Sequence, residues 1–290
     1  MPSSAPIIEF ERITFQYAAS EGHALDDVSL TIGEGEYVAL MGLNGAGKTT
    51  LELCINGIIP NMVMGELAGT ITVAGLDPTE TPVREMAKTV GMVFDNPEFQ
   101  MSQMTVAEEV ALGLENLGIP YDEMRIRIAD ALATVDLVGF DDRMPLALSG
   151  GQQQRLAIAA VLAMRPRILV MDEPTSNLDP IGKQEVFAIA ERLNRENGMT
   201  VVMAEHEVEV MARFADRVIV LDHGRIVANG TPREVFGDVA TLERIGLRPP
   251  QATELAIALR TRYGSWPGEL PVTTEEAVES IEAAMAGTAR

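Results

Sequence analysis

Three short stretches of this chain carry residue types that do phosphate chemistry when brought together. GLNGAGKT at 42–49 matches G-x-x-x-x-G-K-[ST] at every position. Glycines there let backbone N–H groups curl around an anion, and a following helix adds its positive N-terminal end. Lys48 brings a point charge to β- and γ-phosphates, and the Thr49 hydroxyl ligates Mg²⁺. Asn44, Gly45, Gly47 and Thr50 belong to the same nucleotide-binding loop. ILVMDE at 168–173 is an apolar run ending in two acids. As a strand it sets Asp172 beside the metal and Glu173 next to it, where a second carboxylate polarises an attacking water. Apolar strands often end in acids, so this run gains its meaning from the loop upstream.

The third stretch, LSGGQQQR at 148–155, is a second glycine turn. Ser149 before Gly150 and Gly151 opens a helix and presents a hydroxyl, N–H donors and a helix dipole to an anion. It also reads as an ordinary N-capped helix. One chain with two phosphate-friendly turns raises the question of what the second is for.

These residues need elements to hold them. IIEFERITFQY and DDVSLTI alternate as strands, and YVALMG reads as a buried strand feeding the first glycine loop. The helical pattern KTTLELCINGII follows, then the strands GTITVAG and TVGMVF. From 105 to about 164 the pattern is mostly helical, with Thr105 and Glu108 at capping-box spacing and periodicity from Tyr121 to Val138. RILVMD, PIGKQEVFAIAERLNREN, MTVVMAEH, EVEVMARFA and the hairpin RVIVLDHGRIVANG then alternate strand and helix. Such alternation predicts an α/β fold with a mainly parallel sheet covered by helices, plus an antiparallel N-terminal patch. After Phe236 the pattern weakens into short helical pieces around Pro249 and Pro250 and a final amphipathic segment. The expected division is 1–236, with a helical subdomain at about 95–164, and a small helical appendage at 237–290.

The 290 residues suffice for one large domain and an appendage. A net charge of −21 argues against nucleic-acid binding and against adsorption to anionic lipid, both of which favour basic surfaces. The lone Cys54 precludes an internal disulfide and fits a reducing compartment. The first residues, MPSSAPIIEFERITF, lack a secretory pattern, and the longest apolar runs, such as LAIAAVLAM, are too short to span a bilayer. The expectation is a soluble, cytoplasmic chain that meets membranes only through protein partners.

The order GLNGAGKT, LSGGQQQR, ILVMDEPTSNLDP, AEH resembles the ATP-binding-cassette ATPases, P-loop NTPases, over roughly residues 7–236. The resemblance implies ATP and Mg²⁺ as ligands and a head-to-tail dimer. In such a pair the turn formed by Ser149, Gly150, Gly151 and Gln152 contacts the γ-phosphate held by the partner's glycine loop. It further implies that Tyr17 stacks on adenine, and that Asn177-Leu178-Asp179 links the two sites, with Asp179 at the nucleotide. Glu173 is then the catalytic carboxylate and His206 contacts the γ-phosphate, while Asp172 and Thr49 hold the metal. Two departures stand out. Asp95 occupies the position of a glutamine that ligates Mg²⁺ and senses the membrane partner; a carboxylate suits a hard cation but repels the γ-phosphate. Gln100, later in that loop, is a weaker candidate for the same role. Glu205 replaces the usual threonine or serine before His206, and the expectation is that it faces solvent.

INGIIPNMVMGELAGTITVAGLDP, VGMVFDNPEFQ, AEEVALGLENLGIP and AEHEVEVMARFADRVIVLDHGRIVANGTPREVF resemble the ATPase subunits of energy-coupling-factor importers of vitamins or transition-metal ions. That implies a second ATPase subunit, identical or different, a membrane T component and a substrate-binding S component, with the chain peripheral on the cytoplasmic face of the membrane. FDNPEFQMSQM, rich in Phe and Met, is expected to help line a groove for the T component's helices. A conventional importer with a periplasmic or lipid-anchored binding protein is the alternative, and a soluble, non-transport cassette ATPase a further one.

Overall fold

A computed structural model of the chain describes residues 6–264 and 266–288. The N-terminal part contributes β1 (Pro6–Tyr17), β2 (Leu25–Gly33), β3 (Tyr37–Met41), α1 (Lys48–Ile55), α2 (Ile58–Asn61), β4 (Gly65–Val73), α3 (Val83–Met86) and β5 (Val90–Val93). A helical stretch follows: a 3₁₀ turn at Pro97–Phe99, then α4 (Val106–Asn116), α5 (Tyr121–Thr134) and α6 (Gly150–Ala163). Alternation resumes with β6 (Ile168–Asp172), α7 (Pro180–Asn197), β7 (Thr200–Ala204), α8 (Val208–Phe214), β8 (Arg217–Asp222) and β9 (Arg225–Gly230). The C-terminal segment forms α9 (Pro232–Gly237), α10 (Val239–Arg244), α11 (Gln251–Tyr263) and α12 (Thr274–Thr288).

Two sheets result. β2-β1-β4 is antiparallel, and β5-β6-β7-β3-β8-β9 is parallel up to β8. β9 returns antiparallel through His223 (φ 46) and Gly224 (φ 77), two left-handed residues that make the turn favoured between twisted strands. The apolar strands bury both faces. Tyr37, Ala39 and Met41 of β3 join one core cluster with Leu169, Met171, Val201 and Met203, packed under the helices. Val38 and Leu40 join the other with Ile168, Val170, Val202 and Ala204, beneath the antiparallel sheet and α1. Period-two alternation splits one strand between two cores.

Local signals set the helix ends. The capping box predicted at Thr105 and Glu108 is present on α4. α7 begins with Asp179 as cap and Pro180 in its first turn, and ends at Gly198 in the left-handed region. Other limits differ from the pattern-based expectation. β4 begins at Gly65, because Gly69 (φ 98) sits at an irregularity opposite Arg12 and interrupts the apolar alternation. α5 stops at Thr134, before left-handed Asp136. β7 stops at Ala204, which leaves Glu205 and His206 in a loop. In the C-terminal segment, Leu242, Ile245 and Val272 join the same buried cluster as the sheet.

Register aligns the functional ends. Leu40 of β3 and Asp172 of β6 both pair with Ala204 of β7. The loops after these three parallel strands therefore emerge side by side at the carboxyl edge, where open α/β sheets bind ligands.

Candidate active site

β3 delivers the chain to the glycine loop. A Cβ at Gly42 (φ 147) would stand 2.3 Å from the Leu221 carbonyl oxygen, and one at Gly47 (φ 108) 2.5 Å from that of Ala24. Only glycine fits either place. α1 opens at Lys48 without a side-chain cap, so its first-turn N–H donors stay available to an anion. Lys48 is 4% exposed. Its amine donates to the carbonyls of Gly42 (3.0 Å) and Leu43 (3.5 Å) and lies 3.4 Å from Glu173 Oε1.

Glu173 follows β6 at φ 46, a strained value for a non-glycine residue. Its N–H still donates to the Ala204 carbonyl (3.0 Å), and its Oε1 lies 2.9 Å from His206 Nε2. One carboxylate oxygen thus bridges the lysine and the histidine. Asp172, buried at the strand end, meets the Thr49 hydroxyl. Burial pushes its pKa up, the Thr49 hydrogen bond draws it down, and the charges of Glu173 and Asp95 add to the rise.

Glu52, one turn beyond Lys48, is fully buried, with its carboxyl set against that of Asp172. Burial first, and then the charge of Asp172, raise its pKa well above the usual carboxylate range. Helical periodicity alone does not single out Glu52 as a site residue. Its signal was an acid four residues after Lys48, on the same face of an otherwise uncharged helix.

A cavity of about 550 Å³ gathers Tyr17, Asn44, Gly45, Gly47, Lys48, Thr49, Thr50, Asp95, Asp172 and Glu173. Ala24 also lines it, though an alanine in a turn gives no chemical sign of a site. The Tyr17 hydroxyl lies 2.9 Å from Thr50 Oγ1, and its ring meets Phe15 edge-on at 4.9 Å. Gln100 does not line the cavity: its Oε1 accepts from Phe94 N (3.2 Å), while Gln154 Nε2 donates to the Phe94 carbonyl (3.3 Å). In the same loop Phe99 is 89% exposed and Met104 is exposed, but Met101 packs on the core.

Ser149, Gly150, Gly151 and Gln152 stand apart from that cavity. They line a separate depression of about 420 Å³ with Asn177, Leu178 and Asp179. Ser149 Oγ accepts from Gln152 N (3.4 Å), and Gln152 Oε1 accepts from Ser149 N (3.1 Å). Gly151 packs so closely on α7 that a Cβ would lie 3.3 Å from Gly182 Cα. Asp179 Oδ1 accepts from Gly182 N (2.7 Å). Asn177 Nδ2 donates to the Asp95 carbonyl (3.4 Å), joining depression to cavity.

Glu205 does not face solvent as expected. It is 3% exposed, because the chain turns inward after β7 and offers donors that a buried carboxylate requires. Its Oε1 accepts from Thr175 N (3.2 Å) and from the Thr175 hydroxyl, and its Oε2 from His206 N (2.9 Å). Burial, reinforced by the charge of Glu205, also pushes the Tyr37 hydroxyl far above its usual pKa.

Comparison with known proteins adds to this geometry. The model of the ABC transporter family matches residues 25–176. The energy-coupling factor transporter ATP-binding protein EcfA1 of Caldanaerobacter subterraneus subsp. tengcongensis is 41% identical over 279 residues, 95% of this chain and 98% of that protein. The solved structure of cbiO1 from Clostridium perfringens, part of the ABC transporter complex cbiONQ, superposes with a TM-score of 0.72 at 32% identity, covering 84% of this chain and 95% of that one. A dimeric ATP-binding cassette in a post-hydrolysis state with ADP and Pi superposes with a TM-score of 0.68 at 30% identity, covering 78% and 98%.

Proposed function

The chain belongs to the ABC transporter ATP-binding family, and from that premise we propose that it powers an energy-coupling-factor type importer of a vitamin or transition-metal ion. Its reaction is ATP hydrolysis. The observation that carries the reading is Glu173, which lies between Lys48 and His206 and lines the glycine-loop cavity. The importer type is supported by likeness to EcfA1 and cbiO1 along most of the chain.

In this reading the glycine-loop N–H groups and Lys48 bind the phosphates, and Tyr17 stacks on the adenine. Thr49 and Asp172 supply two hard oxygen donors in a site with surplus negative charge, which fits Mg²⁺ completing its shell with phosphate and water. Asp95 lines the same cavity, and its charge is felt at Asp172. The bound ion would neutralise charge that develops on the phosphates. Glu173 accepts the proton of the attacking water, and His206 orients Glu173 and reaches the γ-phosphate.

The second glycine turn is supported in its cross-site role by its position outside the chain's own cavity. With Asn177 and Asp179 it completes the site of a second ATPase subunit; the dimeric relative bears on this. One chain carries both halves, so a homodimer is chemically sufficient, and a different ATPase can use the same surfaces. Residues 1–236 act as the cassette, with about 95–164 as the signature subdomain and 237–290 as an appendage. Exposed Phe99 and Met104 face the membrane T component, which joins an S component holding the cargo. No helix among the described residues is long and apolar enough to cross a membrane. In this reading the chain sits peripherally on the cytoplasmic face, reached through protein partners.

A tagged pull-down from detergent-solubilised native membranes tests this. Recovery of a multi-span T component with substrate-binding membrane proteins is the expected result. Recovery of a paired permease with an external binding protein would move the chain to a conventional importer. Absence of any membrane partner would overturn the transport role.

A further inference from the structure

We propose that Glu205 is a positioning residue that couples the His206 loop to the 175–179 loop, so that a displacement at the hydrolytic cavity is passed to the depression holding the second glycine turn. The inference needs only the ATPase reaction and goes beyond the importer assignment.

The geometry is a closed ring. Glu173 Oε1 bonds His206 Nε2, the His206 N–H donates to Glu205 Oε2, and Glu205 Oε1 accepts two hydrogen bonds from Thr175, two residues after Glu173. Both Glu205 and Thr175 are buried, so water does not compete for these bonds. The ring extends into the 175–179 loop through two turns, Ser176 N to the Glu173 carbonyl (3.2 Å) and Leu178 N to the Thr175 carbonyl (3.1 Å). A second tie runs parallel to it: Lys183, in the first turn of α7, pairs with Glu207, the residue after His206. Segments 205–207 and 175–183 are thus joined at two points, and Leu178 and Asp179 line the depression with Ser149.

Residue type matters here. Glutamate has two oxygens, and the ring uses both: one for Thr175, one for His206 N. A threonine or serine at this position has one shorter oxygen and cannot span both loops. A glutamine keeps one acceptor oxygen and turns a donor amide toward the other contact.

The test uses the full-length chain, with ATP turnover measured against ATP concentration and equilibrium binding measured with a fluorescent ATP analogue. The variants are Glu205→Thr, Glu205→Gln, Thr175→Val and the double Glu205→Thr/Thr175→Val. Coupling through one contact predicts that Glu205→Thr and Thr175→Val each lower kcat about tenfold, with the Kd for nucleotide within about twofold of wild type. The double variant should be no worse than the poorer single, and Glu205→Gln should fall in between. Thr175→Val nearly preserves shape and carries the same test if Glu205→Thr does not fold. A kcat within about threefold of wild type in the folded variants, a parallel loss of kcat and binding, or losses that multiply in the double variant would each overturn the proposal.

Discussion

Two helix N-termini in this molecule face opposite demands. α1 starts at Gly47 in a left-handed conformation with no side-chain cap, and its first residue, Lys48, is buried and ion-paired to Glu173. α6 starts at Ser149, which closes a full capping box with Gln152 and lies exposed beside Asn177 and Asp179. The first terminus leaves its donors open to a ligand in its own chain. The second is satisfied at rest and offers a hydroxyl outward. Glycine is present in both turns for different reasons: at Gly42 and Gly47 no Cβ fits, whereas Gly151 permits close packing on Gly182.

Removing the charge from the first terminus should have the largest effect. Lys48→Ala deletes a charge-assisted contact to phosphate and is expected to weaken ATP binding by about 2–3 kcal/mol, roughly a hundredfold, in an equilibrium titration. Unchanged affinity would erase the difference between the two termini. Ser149→Ala should instead spare ATP binding by the free chain and lower turnover about tenfold, the cost of one charge-assisted hydrogen bond. Losing its cap should also cost about 1 kcal/mol of stability, read from a denaturant midpoint. Mixing the Lys48→Ala and Ser149→Ala chains should raise turnover above that of either chain alone, because a head-to-tail pair then regains one intact site. No recovery would remove the cross-chain role of the second turn.

Glu52 sharpens the contrast from beneath, since α1, unlike α6, carries a buried carboxyl against its site. Its raised pKa means that the folded chain holds this proton more tightly than the unfolded chain does. Stability is therefore favoured at low pH and is lost as pH rises through the ordinary carboxylate range and above it. Glu52→Leu should remove that dependence and raise nucleotide-free stability by about 1–3 kcal/mol at pH 8, with little gain at pH 4, measured by urea unfolding. Equal gains at both values would mean that the carboxyl is not the cause. The smallest effect is expected at Asp95, which touches both regions through Asn177. Asp95→Gln should keep nucleotide binding and shift the transport-coupled rate a few-fold, about 1 kcal/mol or less. Identical rates in the two forms would show that this position has no part in tuning hydrolysis.

Much of this site is legible in the sequence. GLNGAGKT carries its own geometry, because the glycine spacing and the preceding apolar strand belong to one local motif. Thr105 and Glu108, or Asp179 and Pro180, declare helix starts through bonds that reach three residues. The burial of Glu205 is not legible in the sequence because its Thr175 partner lies on another strand's loop. Alternation along MTVVMAEH says nothing of a hydroxyl at Thr175, 30 residues earlier. The surroundings of Glu52 are not legible either, because helical periodicity marks which face is buried, not what that face meets. Gln100 resembled a cavity residue from its neighbours in sequence, yet its amide caps the end of β5.

The sequence by itself determined the order of strands and helices, the capped starts of α4 and α7 and the phosphate loop, since these follow from steric limits and hydrogen bonds within a few residues. It also fixed the net charge of −21. Tertiary structure alone decided which carboxylates meet. The parallel register that levels Leu40, Ala204 and Asp172 brings three distant loops to one edge. There Glu173 is gripped by Lys48 and His206, Glu205 is buried against Thr175, and the Ser149 turn is left facing away. Contacts across a sheet depend on crossover connections and register, and pairing of that kind leaves no mark in the spacing of a single stretch of chain.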